Sequence, residues 1–232
     1  WLEKNYDFKK ISYFIDELLV LDISRKKKNL DMFLKNLNLI SKFCFMPISV
    51  GGGINNLHIV KKILSNGADK VVINSNLNLK LLKEISRTYG QQSIIASIDY
   101  KKDRGKYKIF IKNSVEELKI SVKDYLMKVV NFPVGEIMLN SIDQDGTGNG
   151  IDFKILKFLP KKNKKSIIIS GGCGNSIHLS EGLNNKKVDA VSTANLLNFV
   201  GDGLKKARED MLSKNFKLPI WNVKTINKLK GK

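Results

Sequence analysis

The chain has 232 residues, enough for one large domain or two small ones, and 42% are hydrophobic, which supports a core and argues against wholesale disorder. The formal net charge of +19 invites a nucleic-acid reading, but the lysines are scattered and the densest clusters, at 25–28 and 161–165, carry no interleaved aromatics. Lys, Asn and Ile are abundant together, as A/T-rich codons produce, and charge of this kind informs on solubility and steering rather than function. No apolar run approaches the roughly 20 residues that cross a bilayer, the start has no signal-peptide pattern, and Cys44 and Cys173 make no disulfide framework. The expectation is a cytoplasmic protein without a nucleic-acid or membrane partner.

In chain order, Leu18-Leu19-Val20-Leu21-Asp22-Ile23 predicts a buried strand, 30–43 a helix, and Pro47-Ile48-Ser49-Val50 a strand running into Gly51-Gly52-Gly53. A helix follows over 55–66, with Asn55 or Asn56 to cap it, then a strand over 70–74 and a helix over 77–89. Next come a strand over 93–99, a hairpin-like arm over 106–111, a helix over 115–130 and a strand over 136–139. The rest predicts a short helix over 153–159, a strand over 166–170, a helix over 176–183, a strand over 190–193 and a last helix over 201–212. Apolar strands alternating with helices argue for a parallel sheet covered on both faces. Asp22, the Gly51–Gly53 run, Asn74, Asp99, Asp143 and Gly171-Gly172 all fall at carboxyl ends of strands, where a barrel would converge them on one mouth. The predicted fold class is α/β, a single (β/α)8 TIM barrel domain.

The two halves resemble each other. Gly51 and Gly171 stand 120 residues apart within similar strand-plus-glycine runs, Asp69 and Asp189 are also 120 apart, and Asp22 matches Asp143 more loosely at 121. This predicts two fused half-barrels. Seven strands are counted, and the mate of the strand ending in Asp99 would end about 21 residues before Trp1, at the 120-residue offset. The expectation is therefore a barrel whose first strand is absent from this chain.

Gly52 and Gly53 follow a strand and precede a helix, where bare backbone lets N–H groups close on an anion at the helix start. Asn74 and Ser75, at the next strand's end, add donors. Gly171, Gly172, Ala194 and Asn195 form the symmetric copy, with Asp145 and Gly146 on the neighbouring loop grouped with it. One glycine turn alone is as readily a tight loop; two at matching positions predict a ligand with a phosphate at each end. Asp99 ends an apolar strand and is a candidate general acid/base, although an aspartate there can also anchor a loop. His58 and His178 lie within predicted helices as surface or core-edge residues, and Cys173 is a small loop residue without a neighbouring His. Two His and two Cys far apart supply no metal spacing, and no cofactor is expected.

Leu21-Asp22-Ile23, Val50-Gly51-Gly52-Gly53-Ile54, Gly67-Ala68-Asp69-Lys70-Val71, Ile73-Asn74, Ser97-Ile98-Asp99, Ser141-Ile142-Asp143-Gln144-Asp145-Gly146-Thr147 and Ser170-Gly171-Gly172 resemble, in order and spacing, the cyclase subunit of imidazole glycerol phosphate synthase. The resemblance runs from about Asp16 to Leu212. It implies an enzyme that takes ammonia from a glutamine amidotransferase (glutaminase) partner. The substrate would be a phosphoribulosyl-formimino aminoimidazole carboxamide ribonucleotide, and the products imidazole glycerol phosphate and aminoimidazole carboxamide ribonucleotide. Asp99 matches one of the family's two catalytic aspartates; the other belongs to the strand expected to be absent. Glu17, Lys70 and Glu136 match three members of the family's charged ring at the ammonia entrance, with Asp69 on the same partner-docking face. Asn140, Asn195 and the Leu218-Pro219-Ile220-Trp221 tail depart from the family pattern. Three alternatives stand beside this: a paralogue that delivers ammonia to a surface-polysaccharide sugar, the related barrel isomerase of histidine synthesis, and an inactive barrel remnant.

Overall fold

The computed structural model describes residues 6–24, 28–198 and 202–220. The Arg25-Lys26-Lys27 part of the first basic cluster, the starting residues 1–5, Gly201 at the expected start of the last helix, and the tail from Trp221 lie outside the described residues. A one-turn helix, α1 (Phe8–Ile11), precedes β1 (Leu18–Leu21), α2 (Leu30–Phe43), β2 (Ile48–Gly51), α3 (Leu57–Ser65), β3 (Lys70–Ile73) and α4 (Leu79–Tyr89). The long β4 (Ile94–Asp103) leads into β5 (Lys106–Ile111) and β6 (Glu116–Leu118). Then come α5 (Val122–Val129), β7 (Glu136–Ser141), a 3-10 helix (Phe153–Phe158), β8 (Ser166–Ser170), α6 (Ser176–Asn184), β9 (Ala190–Ser192), α7 (Asn195–Asn198) and α8 (Gly203–Ser213).

Seven strands pair in parallel in the order β1-β2-β3-β4-β7-β8-β9, with β5 and β6 as an antiparallel extension of β4. All seven strands expected from the sequence are present. The sheet is curled, as in a TIM barrel: side chains from strands two places apart meet on its concave face. Val72, Ile95 and Met138 form a small cluster there, with Leu19 and Ile168 packed against it. These residues come from β1, β3, β4, β7 and β8, the layered filling expected inside a barrel. The larger core lies on the other face, between sheet and helices, and includes Val50, Val71, Ile98, Leu37, Val60, Leu82 and Leu126. Five of the helices start where a polar side chain satisfies a first-turn backbone donor. Asn29, Asn56, Asn78, Ser121 and Asn175 all accept such a bond, so Asn56 rather than Asn55 caps α3. Among the described residues no helix is long and apolar enough to cross a membrane.

Two sequence expectations change. The helix expected over 115–130 is split, because Lys112, Asn113 and Ser114 adopt left-handed conformations and turn the chain back. Glu116–Leu118 then pairs with β5, where the Lys108 ammonium joins Asp103 at 2.8 Å and Glu117 at 3.2 Å, and α5 starts at Val122. The repeat also sits in a different register. Leu19 and Met138 face the concave side at equivalent places, and helices α3 and α6 start after caps Asn56 and Asn175, an offset of 119 in both cases. Gly52 and Gly53 therefore correspond to Gly171 and Gly172, and Asp22 corresponds to Ser141 rather than Asp143. From β3 to β9 the offset becomes 120, because the second copy has one more residue between helix and strand.

One anchor recurs in both copies. Asp69 Oδ2 accepts from the Ile48 N–H at 2.8 Å, and Asp189 Oδ2 accepts from the Ile167 N–H at 2.7 Å. Asp69→Ala and Asp189→Ala should each lower unfolding free energy by about 1 kcal/mol, and the double variant by roughly the sum. Urea denaturation of the three variants measures this; a cost confined to one site would contradict equivalent anchors.

Candidate active site

Both glycine pairs lie at the carboxyl edge of the sheet. After β2, Gly52 and Gly53 take φ of 118° and 74°; after β8, Gly171 and Gly172 take 94° and 87°. The reason is close approach as well as conformation. A Cβ on Gly52 would stand 2.5 Å from the Asp22 carbonyl oxygen, and one on Gly171 would stand 2.4 Å from that of Ser141. Each pair leads within four residues to an Asn-capped helix start, so backbone donors and the positive end of a helix face the same space.

The next loop braces each cradle. On the first side, Asn74 Nδ2 donates to the Ser97 carbonyl at 3.1 Å, Ser75 Oγ donates to Asn74 Oδ1 at 3.1 Å, and Asn76 Nδ2 donates to the Ile54 carbonyl at 2.9 Å. On the second side, Thr193 Oγ1 donates to the Cys173 carbonyl at 2.9 Å and Asn195 Nδ2 to the Gly146 carbonyl at 3.2 Å. The Gly150 N–H donates to the Gly172 carbonyl at 2.8 Å. Gly172, Gly146 and Asn195 thus belong to one cluster, flanked by Ala194. The two cradles differ in what covers them. Lys28 lies over the first: its Nζ is 3.1 Å from where a Gly53 Cβ would be, and donates to the Asp22 carbonyl at 3.0 Å. The loop of Gly146, Gly148 and Gly150, entered through Asp145, lies over the second.

Asp99 stands on β4, the middle strand of the seven. Asn140 Nδ2 donates to its Oδ1 at 3.0 Å and Ser114 Oγ donates to its Oδ2 at 3.3 Å. Burial pushes its carboxyl above the ordinary 3.8, against those two hydrogen bonds, and the Asp145 carboxylate adds to the rise. A carboxyl that holds its proton more readily than a free one, yet remains half-buried at the mouth, suits proton transfer. Asp145 itself is exposed on the loop after β7. Asp143 is committed elsewhere, accepting from Ser141 Oγ at 2.9 Å and from the Lys102 N–H at 3.2 Å. Asp22 caps Ser24 and pairs with Lys28; burial opposes its charge, but these partners hold its carboxyl below the ordinary value. Cys173 is buried, which pushes its thiol up to about 11, consistent with a packing residue.

The opposite edge of the sheet holds a second charged group. Lys70 Nζ, at the start of β3, donates to Glu17 Oε2 at 2.7 Å and Glu136 Oε1 at 2.6 Å. Ser49 Oγ, on β2, donates to the other Glu17 oxygen. Partial burial works against the ammonium charge, but the two carboxylates hold Lys70 above its ordinary 10.5. Glu17 and Glu136 are repeat mates at the 119 offset, and the counterpart of Lys70 is Ala190. Asp69 lies at the same edge but takes the backbone-anchoring bond to Ile48 instead.

Sequence reasoning reached the glycines, Asn74, Ser75, Asp99 and the charged cluster. It missed Lys28, Ser114 and the role of Asn140. Lys28 belonged to a lysine run that gave no sign of which member turns inward. Ser114 stood just before an expected helix, with nothing local to mark it.

A family described as "Histidine biosynthesis protein" matches residues 7–201. The chain is 45% identical over 211 residues to a "Putative imidazole glycerol phosphate synthase subunit hisF2" of Parasynechococcus marenigrum (strain WH8102), covering 90% of this chain and 78% of that one. It is 34% identical over 207 residues to the "Imidazole glycerol phosphate synthase subunit HisF" of Leptospira biflexa, covering 88% of this chain and 81% of that one. Repeated half-barrel units, paired glycine turns and this breadth of match agree, and the chain belongs to the histidine biosynthesis protein family.

Proposed function

We propose that this chain is the cyclase subunit of an imidazole glycerol phosphate synthase. On this reading it binds a substrate with two phosphates, one at Gly52, Gly53, Asn74 and Ser75, the other at Gly171, Gly172, Ala194, Asn195 and the Asp145-Gly146 loop. Lys28 supplies a cation to the first phosphate. Asp99, midway between the cradles in strand order, moves a proton as ammonia is built into the imidazole ring and the carboxamide ribonucleotide departs. The ammonia comes from a glutaminase subunit docked at the edge bearing Glu17, Asp69, Lys70 and Glu136. The observation that carries this reading is the arrangement of one sheet: two matched cradles flank a half-buried carboxylate at one edge, and a clasped lysine stands at the other.

A second reading draws support from the higher identity to the relative printed as hisF2 than to the Leptospira HisF subunit. In that reading the chain is a paralogue that delivers ammonia to a sugar. Calorimetry with the bisphosphate ribonucleotide and with a nucleotide-activated sugar separates the two.

Gly172→Ala should raise the dissociation constant of the bisphosphate ligand by about tenfold or more, since its Cβ would meet the Gly150 carbonyl oxygen at 1.9 Å. Unchanged calorimetric affinity would remove the second cradle from the site.

Lys70→Ala should leave turnover with added ammonium salts intact while glutamine hydrolysis in the partner no longer yields product. Equal loss of both activities, or of neither, would rule out an ammonia entrance at this edge.

Asp99→Asn should lower turnover by about a hundredfold or more and leave phosphate binding in place. The same variant carries a stability signature. Asp99 binds its proton more tightly folded than unfolded, so its ionised form costs stability above the folded pKa, and the cost disappears below the ordinary 3.8. At pH 7 the Asn variant should therefore melt at or above the parent, with the difference closing as pH falls through the Asp99 range. A variant that melts lower at pH 7 would mean the charge itself stabilises the fold.

A further inference from the structure

The loop joining β5 to β6 carries Lys112, Asn113 and Ser114 at φ of 54°, 57° and 63°. Three consecutive non-glycine residues in the left-handed region are costly, and such conformations persist only where surrounding contacts over-determine them. The contacts are on both sides of the turn. Inside the hairpin, the Val115 N–H donates to the Ile111 carbonyl at 3.1 Å, and Lys112 Nζ pairs with Glu116 at 2.6 Å. Outside it, the turn reaches two residues of the mouth. The Lys112 N–H donates to Ser75 Oγ at 2.8 Å, and Ser114 Oγ donates to Asp99 Oδ2 at 3.3 Å.

The chemistry of the first bond matters. A serine hydroxyl has one proton to give and lone pairs to receive. By donating to Ser75 Oγ, the Lys112 N–H fixes that oxygen and leaves its proton directed elsewhere, at present to Asn74 Oδ1. An anion in the first cradle can take that proton without breaking the bond from Lys112. The second bond fixes one oxygen of Asp99, while Asn140 on β7 fixes the other. Asp145 is the other charged group acting on Asp99.

We propose that the Lys112–Ser114 turn is a positioning element that holds Ser75 and Asp99 in a fixed relation, so that the state of the first phosphate cradle is felt at the proton-transfer carboxyl. Ser114 acts through Asp99 and Lys112 acts through Ser75. The proposal rests on the reading of Asp99 and Ser75 given above, but its test needs no turnover, so its failure is distinguishable from failure of that reading.

The experiment follows the Asp99 carboxyl carbon by NMR through a pH titration of the full chain, with the signal assigned by its loss in Asp99→Asn. Ser114→Gly removes the hydroxyl and relaxes the backbone, since glycine suits a φ of 63°, so the variant should fold at least as well as the parent. Loss of a donor to the charged form should raise the Asp99 pKa by about one unit. Ser75→Ala touches no atom bonded to Asp99, yet it frees the Lys112 end of the turn and should raise the same pKa by a smaller amount. The double variant should add little to Ser114→Gly, because both changes release one element. An unchanged Asp99 titration in Ser114→Gly overturns the role of Ser114. An unchanged titration in Ser75→Ala, or full additivity in the double variant, overturns the coupling.

Discussion

Parallel strands cannot be joined by tight turns. Each connection must travel back along the outside of the sheet, and a helix is the compact way to do so. The loops that leave the seven strands therefore emerge at one edge, and those that enter emerge at the other. Curling the sheet gathers each set. Glycine turns, Asp99 and the β5–β6 hairpin share the first edge; Glu17, Lys70 and Glu136 share the second. Between them the apolar side chains of Leu19, Val72, Ile95, Met138 and Ile168 pack on the concave face. The direction of the strands thus separates two polar regions by a layer of hydrocarbon.

Much of this was legible in the residues because the signals were local. Strands such as Ile94-Ile95-Ala96-Ser97-Ile98-Asp99 are continuous apolar runs that end in a polar residue, and each glycine pair follows one directly. Other features depended on partners far away in sequence. Glu116, Glu117 and Leu118 have good helix propensity, and pairing with β5, with Lys108 on β5 and Lys112 in the left-handed turn against the two glutamates, makes them a strand. The repeat register slipped because matching the first glycine of each run sets Gly51 against Gly171, whereas Gly51 still belongs to β2 and its mate is Ser170 at the end of β8. The helix caps resolve it, since they mark where the backbone turns into helix.

The two cradles also illustrate how a repeat diverges. Their backbones agree in the sign of φ at both glycines and in the Asn cap that follows. Their covers do not: one carries an ammonium, the other a run of glycines and an amide. A ligand whose two ends differ in charge or size meets two different surroundings on one shared plan. Asp99 lies between them and is tied to the first side by a strained turn, so the mouth has a direction despite its internal likeness.

The clasp of Lys70 depends on the two halves being different. Glu17 and Glu136 occupy equivalent places, while Lys70 has Ala190 as its counterpart. Two copies of the first half would set two ammonium groups against two carboxylates; two copies of the second would leave two carboxylates facing alanine. Neither symmetric arrangement would share one cation between paired acids as this chain does. Lys70 is therefore where the chemistry of one half departs from that of the other, at an edge where the two halves otherwise follow the same order of strands.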